Sequence, residues 1–197
     1  MAVVTRGFGG RRPASERPVP PGQYLTDDFP VLSTGPTPNV DAPTWEMTIR
    51  TEAGVEHGWD WAGLQALPAE DVTVDIHCVT RWSKQDTHWR GVPVDALFTE
   101  VETAAEFAVA HSFGGYTTNV PLDDLLDGRA WVVSEYEGEP LAPLHGGPVR
   151  LLVPHLYLWK SAKWLRGLTL HLDDEPGFWE QHGYHPYGDP WSEQRYA

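Results

Sequence analysis

Three stretches of the chain alternate apolar and polar residues with the two-residue period of a half-buried strand. In "TWEMTIR" Trp45, Met47 and Ile49 share one side. In "DVTVDIHC" Val72, Val74, Ile76 and Cys78 point one way and Thr73, Asp75 and His77 the other, which places Cys78 on the apolar side at the strand's end. In "LTLHL" Leu168, Leu170 and Leu172 are expected to face inward. "EFAVAHS", "AWVVSEY" and the proline-flanked "PVRLLVP" are apolar enough to be further strands. Helical signals are short. Asp60 is the expected N-cap of a helix that Pro68 stops after Leu67. "VPVDALFTEV" accepts Pro93 in its first turn, "PLDDLLD" predicts a short helix between two strands, and "EGEP" reads as a turn. The pattern predicts an α+β chain with a strand-rich core of mixed sheets and short helices at loop ends.

The two ends read differently. Residues 1–20 combine Gly, Arg, Pro and Ser without a period and read as a flexible N-terminal arm. From Gln23 to Pro43 the chain is proline-rich but carries Tyr24, Leu25, Phe29, Val31 and Leu32, an extended segment expected to lie on the domain. Residues 21–197 are expected to form a single domain, since 197 residues supply one good-sized core. Its last stretch, Pro176 to Ala197, holds Phe178, Trp179, Tyr184, Tyr187, Trp191 and Tyr196, and is expected to wrap the core or a partner.

Composition sharpens this picture in a few places. Ten Trp, eighteen Pro and nineteen Gly favour strands, turns and ordered loops over a helical bundle. One cysteine excludes an internal disulfide framework and a multi-cysteine zinc or iron–sulfur site. No apolar run approaches the roughly 18–20 residues of a membrane span. Arg11 and Arg12 are followed by "PASERPVPPGQYLTDD" where an export signal needs an apolar region, so the expected location is cytoplasmic. A net charge of −14 argues against a nucleic-acid binder. The charge is unevenly spread. Residues 78–90 and 150–166 carry Arg81, Lys84, Arg90, Arg150, Lys160, Lys163 and Arg166 against the single acid Asp86, while the other 167 residues hold seven basic groups and 27 acids. Such a concentration either balances neighbouring acids or forms a pocket for an anion.

Two clusters could carry chemistry. Cys78 reads as a small buried apolar residue, or, with cations a few positions away, as a thiolate that is a nucleophile or a metal ligand. Nine histidines leave a histidine-assisted hydrolase open, but no hydrolase signature surrounds Cys78. The second cluster, "HGGPVRLLVPHLYLWKSAKWL", combines a Gly146-Gly147 pair that lets backbone approach a ligand with Arg150, Lys160, Ser161 and Lys163, which suit an anion.

With these residues in order, the sequence resembles the molybdenum-cofactor domain of the sulfite oxidase family over roughly residues 22–190. "DIHC" matches the strand whose cysteine ligates molybdenum. "CVTRWS" with the later "WRG" is similar to the family's bacterial methionine-sulfoxide reductase branch. "YTTNVPL", starting at Tyr116, matches an element whose tyrosine stands beside the metal's oxo groups. Gly138, Leu141, His145, Gly146, Pro148, Arg150, Val153 and Pro154 match a longer pattern, and "KSAKW" matches the segment that contacts the pterin phosphate. "EPGFWEQHGYHPYGDP" resembles a downstream aromatic element. Each element alone is common; five in this order are specific.

The resemblance implies a sulfite-oxidase-type molybdopterin-binding fold and an oxidoreductase that moves an oxygen atom onto or off a small anionic or sulfur-containing substrate. It implies molybdenum ligated by Cys78, and molybdopterin without a nucleotide held by Ser112, His145, Arg150, Ser161, Ala162 and Lys163, with Phe29 and Val31 brought over the pterin. Arg81 and Tyr116 would face substrate, and electrons would pass to or from a separate redox protein, with no heme in the chain itself. Sulfite oxidases carry two arginines four and five residues after the cysteine, whereas here only Arg81 follows, three residues on; the reductase branch has no basic residue there. On Arg81 and Tyr116 the expectation leans to oxidation of a sulfur compound, with sulfoxide reduction, a non-catalytic cofactor-binding domain and a thiol hydrolase as alternatives.

Overall fold

Each strand expected from apolar patterning forms in the computed structural model, which describes residues 17–197. Residues 1–16 of the expected arm lie outside the described residues. Of its remainder, Arg17 is ion-paired, 3.2 Å from Asp75 and 2.7 Å from Asp86. In chain order the elements are β1 (Tyr24–Leu25), β2 (Glu46–Arg50), β3 (Glu56–Asp60), α1 (Trp61–Ala66), β4 (Glu70–His77), β5 (Trp82–Pro93) and α2 (Val94–Leu97). These are followed by β6 (Phe107–Ser112), β7 (Thr117–Pro121), β8 (Trp131–Tyr136), β9 (Glu139–Pro140), β10 (Arg150–Leu152) and β11 (Leu165–His171). Single 3-10 turns fill several connections, among them Leu122–Asp124 and Leu158–Lys160.

The strands make two mixed sheets. In the first, β5 pairs antiparallel with β4 and β8, and parallel with β1 at Trp82 and Ser83; β8 continues to β10 and β9. The second runs β3-β2-β11-β6-β7, antiparallel except for the parallel β2–β11 pair. Alternation explains how they meet. Val92, Val132 and Leu151 of the first sheet pack with Met47, Ile49, Ala108, Ala110, Leu168 and Leu170 of the second in one large apolar cluster. Val133 and Leu152, one position along the same strands, and Trp89, three positions before Val92, turn to the other face of the first sheet and join Ile76, Cys78 and Trp82 in a smaller cluster. A sheet buried on both faces reads as a continuous apolar run, as "AWVV" and "RLLV" do.

The helices show what limits them. Asp60 caps α1, its Oδ1 accepting from the Gly63 amide at 2.7 Å, and Leu67, in extended backbone before Pro68, ends it. The ten-residue pattern "VPVDALFTEV" forms only the four residues of α2, after which the Thr99 hydroxyl bonds back to the Ala96 carbonyl at 3.1 Å. Leu172, expected inward, is exposed because β11 ends at His171. Among the described residues no helix is long and apolar enough to cross a membrane. The C-terminal residues lie against β7 and the loop after β10: the Phe178 amide bonds the Thr117 carbonyl and the Tyr157 amide bonds the Gly188 carbonyl, each at 2.9 Å.

Candidate functional site

The hairpin from β4 to β5 presents Cys78 at the edge of a cavity of about 360 Å³, within the range of pockets that hold cofactors and drug-sized ligands, roughly 300–1,000 Å³. The turn is tightly built. The Arg81 amide bonds the Cys78 carbonyl at 3.0 Å, the Cys78 amide bonds the Trp82 carbonyl at 2.9 Å, and Arg81 takes a left-handed φ of 77°. Gln23 adds a third restraint, donating Nε2 to the Cys78 carbonyl at 3.1 Å. The thiol is 7% exposed and lies 3.1 Å from the Thr80 hydroxyl. Burial pushes its pKa up; the Thr80 contacts and the charges of Arg195 and Lys163 pull the other way without reversing it. Its hydrogen-bond partner is Thr80, and no histidine bonds it among the described residues, so a hydrolase reading finds no base at the thiol.

Opposite Cys78 the cavity is cationic. Arg150, carried on β10, is 2% exposed and donates to the backbone carbonyls of His145 and Ser161, both at 2.8 Å. Burial lowers its pKa to about 10. Lys163 donates to the carbonyls of Leu32 and Leu144, both at 2.8 Å. Burial, then the Arg150 charge, lowers its pKa to about 8. Neither cation is paired with a carboxylate among the described residues. A buried guanidinium and a half-buried ammonium compensated only by carbonyl dipoles are costly unless an anion joins them.

The glycine pair sets this spacing. A Cβ on Gly147 would lie 1.9 Å from the Leu141 carbonyl oxygen, and one on Gly146, at φ 111°, would lie 3.0 Å from Lys163 Cα and 3.1 Å from Arg150 Cβ. Polar atoms on the walls point the same way. The Ser112 hydroxyl and the Trp82 indole N–H, both on cavity-lining residues, are buried without a hydrogen-bond partner, and so is His145 Nδ1. Phe29 lines the wall and stacks on His145, ring centroids 4.1 Å apart.

Of the residues singled out from sequence, Cys78, Phe29, Ser112, Tyr116, Arg150, Ser161 and Lys163 line this one cavity. Four others do not. Arg81 is exposed, turned outward by its left-handed backbone. Val31 is 45% exposed beside the wall, Ala162 packs in the large apolar cluster, and His145 sits behind Phe29. Tyr116 is already engaged: its hydroxyl donates to the Trp159 carbonyl at 2.6 Å, and burial first, then Glu180, holds its pKa well above that of a free phenol.

The remaining cations of the basic stretches are spent elsewhere. Lys84 donates to the Asp27 carbonyl, Arg90 pairs with Asp71 at 3.0 Å, and Lys160, fully buried, pairs with Glu180 at 2.6 Å. Arg166 lines a separate, more open groove with Arg50 and His111. The sequence reading missed Thr80, Trp82, Trp159, Trp179 and Tyr184 on the cavity wall. Trp179 and Tyr184 were legible only as members of an aromatic tail.

The donor set also limits how a metal could be held. Among the described residues no three His, Cys, Asp or Glu side chains gather as a metal-holding group. A metal at Cys78 must therefore arrive with further ligands of its own. An anionic, hydrogen-bonding cofactor that chelates its metal meets this requirement, and the unpartnered cations and polar atoms fit one.

Comparison with known proteins gives the same direction. The sequence profile of the oxidoreductase molybdopterin binding domain matches residues 34–179. The chain is 42% identical to the uncharacterized oxidoreductase YuiH of Bacillus subtilis over 91% of its length and 92% of that protein's. It is 26% identical to YedZ1 of Azospira oryzae, named as a protein-methionine-sulfoxide reductase subunit, and 25% identical to mitochondrial sulfite oxidase of Rattus norvegicus. It spans 63% and 39% of those two proteins. Among solved structures, the sulfane dehydrogenase SoxCD of Paracoccus pantotrophus superposes with a TM-score of 0.64 at 16% identity, over 75% of this chain and 42% of that one, and shares its fold.

Proposed function

The chain belongs to the family of molybdopterin-binding oxidoreductase domains, and from that premise we propose that it catalyses oxygen-atom transfer on a small sulfur compound. The observation that carries this reading is the buried Arg150 and the half-buried Lys163, which share a cavity with Cys78 and have no carboxylate partner among the described residues. Arg150, Lys163 and Ser161 would hold the cofactor's phosphate. Ser112 and Trp82 offer unpartnered polar atoms to the pterin, and Phe29, backed by His145, would cover it. Cys78 supplies the thiolate ligand that a soft site requires. When bound, molybdenum supplies two-electron exchange of an oxygen atom between water and substrate.

The protein's own part is binding, orientation and exclusion of water. Arg150 is fixed by two carbonyls before any ligand arrives, so its charge is preorganised. Tyr116 stays a neutral donor throughout the ordinary pH range, its hydroxyl held at the Trp159 carbonyl. Trp159, Trp179 and Tyr184 make an aromatic rim on the cavity that Cys78 lines.

That rim bears on the substrate. Sulfite oxidation was favoured by Arg81 and Tyr116; Arg81 stands outside the cavity, Tyr116 lines it with its hydroxyl engaged at the Trp159 carbonyl, and Arg150 and Lys163 are assigned to the phosphate. An aromatic rim with no further cation suits a neutral sulfoxide or thioether better than sulfite. A nucleotide-free cofactor and a separate electron-carrying protein complete the proposal. Steady-state assays test the direction: methionine sulfoxide with a reduced viologen donor should turn over faster than sulfite with ferricyanide. Turnover of sulfite alone would contradict it.

A further inference from the structure

Arg195 carries a signal that no motif in the sequence announced. It stands near the end of the aromatic tail, yet it is only 9% exposed. Its guanidinium reaches across the chain to two backbone carbonyls, Val79 at 2.6 Å through Nη1 and Pro21 at 3.4 Å through Nη2. Its Cζ lies 5.1 Å from the centroid of the Tyr157 ring. The carboxylate paired with it, Glu193, is at 4.0 Å with its side chain 52% exposed, a weak compensation for a buried charge.

Position gives these contacts their meaning. Val79 follows Cys78, and both Val79 and Thr80 line the cavity. Gln23 holds the Cys78 carbonyl and Arg195 holds the next one, so two successive carbonyls of the turn are fixed by side chains from opposite ends of the chain. A planar guanidinium can bridge the Val79 and Pro21 carbonyls at once; a single ammonium cannot do so with the same geometry. Arg195 does not line the cavity, so it acts from behind the turn. Its charge also acts on the Cys78 thiol.

We propose that Arg195 is a positioning residue for Cys78: it holds the turn that presents the sulfur and keeps a positive charge behind it. The inference rests on Cys78 being the molybdenum ligand. A nearby positive charge favours the more electron-rich state of a metal centre and so raises its reduction potential. Outer partners of metal ligands commonly tune a site in this way.

The test uses the full chain with Arg195→Gln, which keeps donors and removes charge, and Arg195→Lys, which keeps charge and loses the bridge. In cofactor-free protein, hydrogen exchange of the Cys78 and Arg81 amides should quicken about tenfold in Arg195→Gln and measurably in Arg195→Lys. In loaded protein with wild-type molybdenum content, Arg195→Gln should lower the midpoint potential of the metal centre, and Arg195→Lys should leave it near wild type. Wild-type exchange rates in both variants, or a wild-type potential in Arg195→Gln, would overturn the proposal. Should Arg195→Gln not fold, Arg195→Lys alone decides, since a wild-type exchange rate there removes the clamp. Wild-type protein devoid of molybdenum would instead remove the functional reading, and the exchange data would still judge the clamp.

Discussion

Arg150 and Lys163 are held by carbonyls and, among the described residues, by no carboxylate, so the cofactor-free protein bears an electrostatic cost that a bound phosphate relieves. A substitution here should therefore act with opposite signs on two properties. Lys163→Met should leave the melting temperature of cofactor-free protein unchanged or raised, and should lower the pterin content of purified protein at least tenfold. Equal loss of both would mean that Lys163 is only structural. Cys78→Ser should keep most of the pterin, because the phosphate contacts remain, and lose turnover; full activity in that variant would remove Cys78 from the metal. At this scale the sequence located cavity-lining residues where they sit at or just beyond a strand end, as Cys78, Ser112 and Arg150 do. The sequence did not show that Arg81 stands outside the cavity, where the left-handed turn after Cys78 leaves its side chain exposed. It failed at Arg195 because that contact spans 116 residues to Val79 and leaves no local pattern.

The elements deliver these residues, and their weak points follow from packing. The loop from the 3-10 turn Pro143–His145 to β10 depends on Gly147, where an added Cβ would meet the Leu141 carbonyl at 1.9 Å. Gly147→Ala should displace Arg150 and reduce pterin content, measured by fluorescence after denaturation, even where the protein stays soluble. The tail is anchored by Lys160, whose ammonium contacts Glu180 at 2.6 Å, both Asn119 oxygens, and the Pro186 carbonyl. Breaking this fully buried pair from one side should cost about 3–5 kcal/mol, since it strands a charge. Denaturant unfolding of Lys160→Met measures it, and a loss below about 1 kcal/mol would show that the pair contributes little. Strands with apolar alternation were readable. The twelve-residue β5 was not, because its inward Trp82, Thr87 and Trp89 are interleaved with Lys84, Gln85 and Asp86, and Asp86 interrupts the run at φ 53°. That stretch read as a concentration of basic residues, and two of its cations, Lys84 and Arg90, are spent on the Asp27 carbonyl and on Asp71.

For the whole molecule, the count of cations in two stretches overstated the pocket, although the sign of the pocket, opposite to a net charge of −14, was correct at Arg150 and Lys163. Acid stability should follow Asp124, which joins the 3-10 turn after β7 to the tail. Burial raises its pKa, but the His155 hydrogen bond and charge, Arg129 and the Tyr187 hydroxyl more than offset this, and the net shift is downward. A depressed carboxylate stabilises the fold above its unfolded pKa, near 4, and that contribution is lost as pH falls through the folded value. Melting temperature should drop as pH falls below about 4 in the wild type and drop less in Asp124→Asn; equal slopes would remove Asp124 from the account. The fold itself was legible as a class, a strand-rich α+β chain, but the pairing of β2 parallel to β11 joins residues too far apart for any local pattern to show.

The central claim is that one cavity, built from Cys78, Arg150 and Lys163, holds a molybdenum–pterin cofactor. Metal and pterin analysis of the full chain, purified from a host that makes this cofactor, tests it most directly. The account predicts close to one molybdenum and one pterin per chain, both falling sharply in an Arg150→Gln, Lys163→Gln double variant. Protein that is folded and free of both molybdenum and pterin would contradict it.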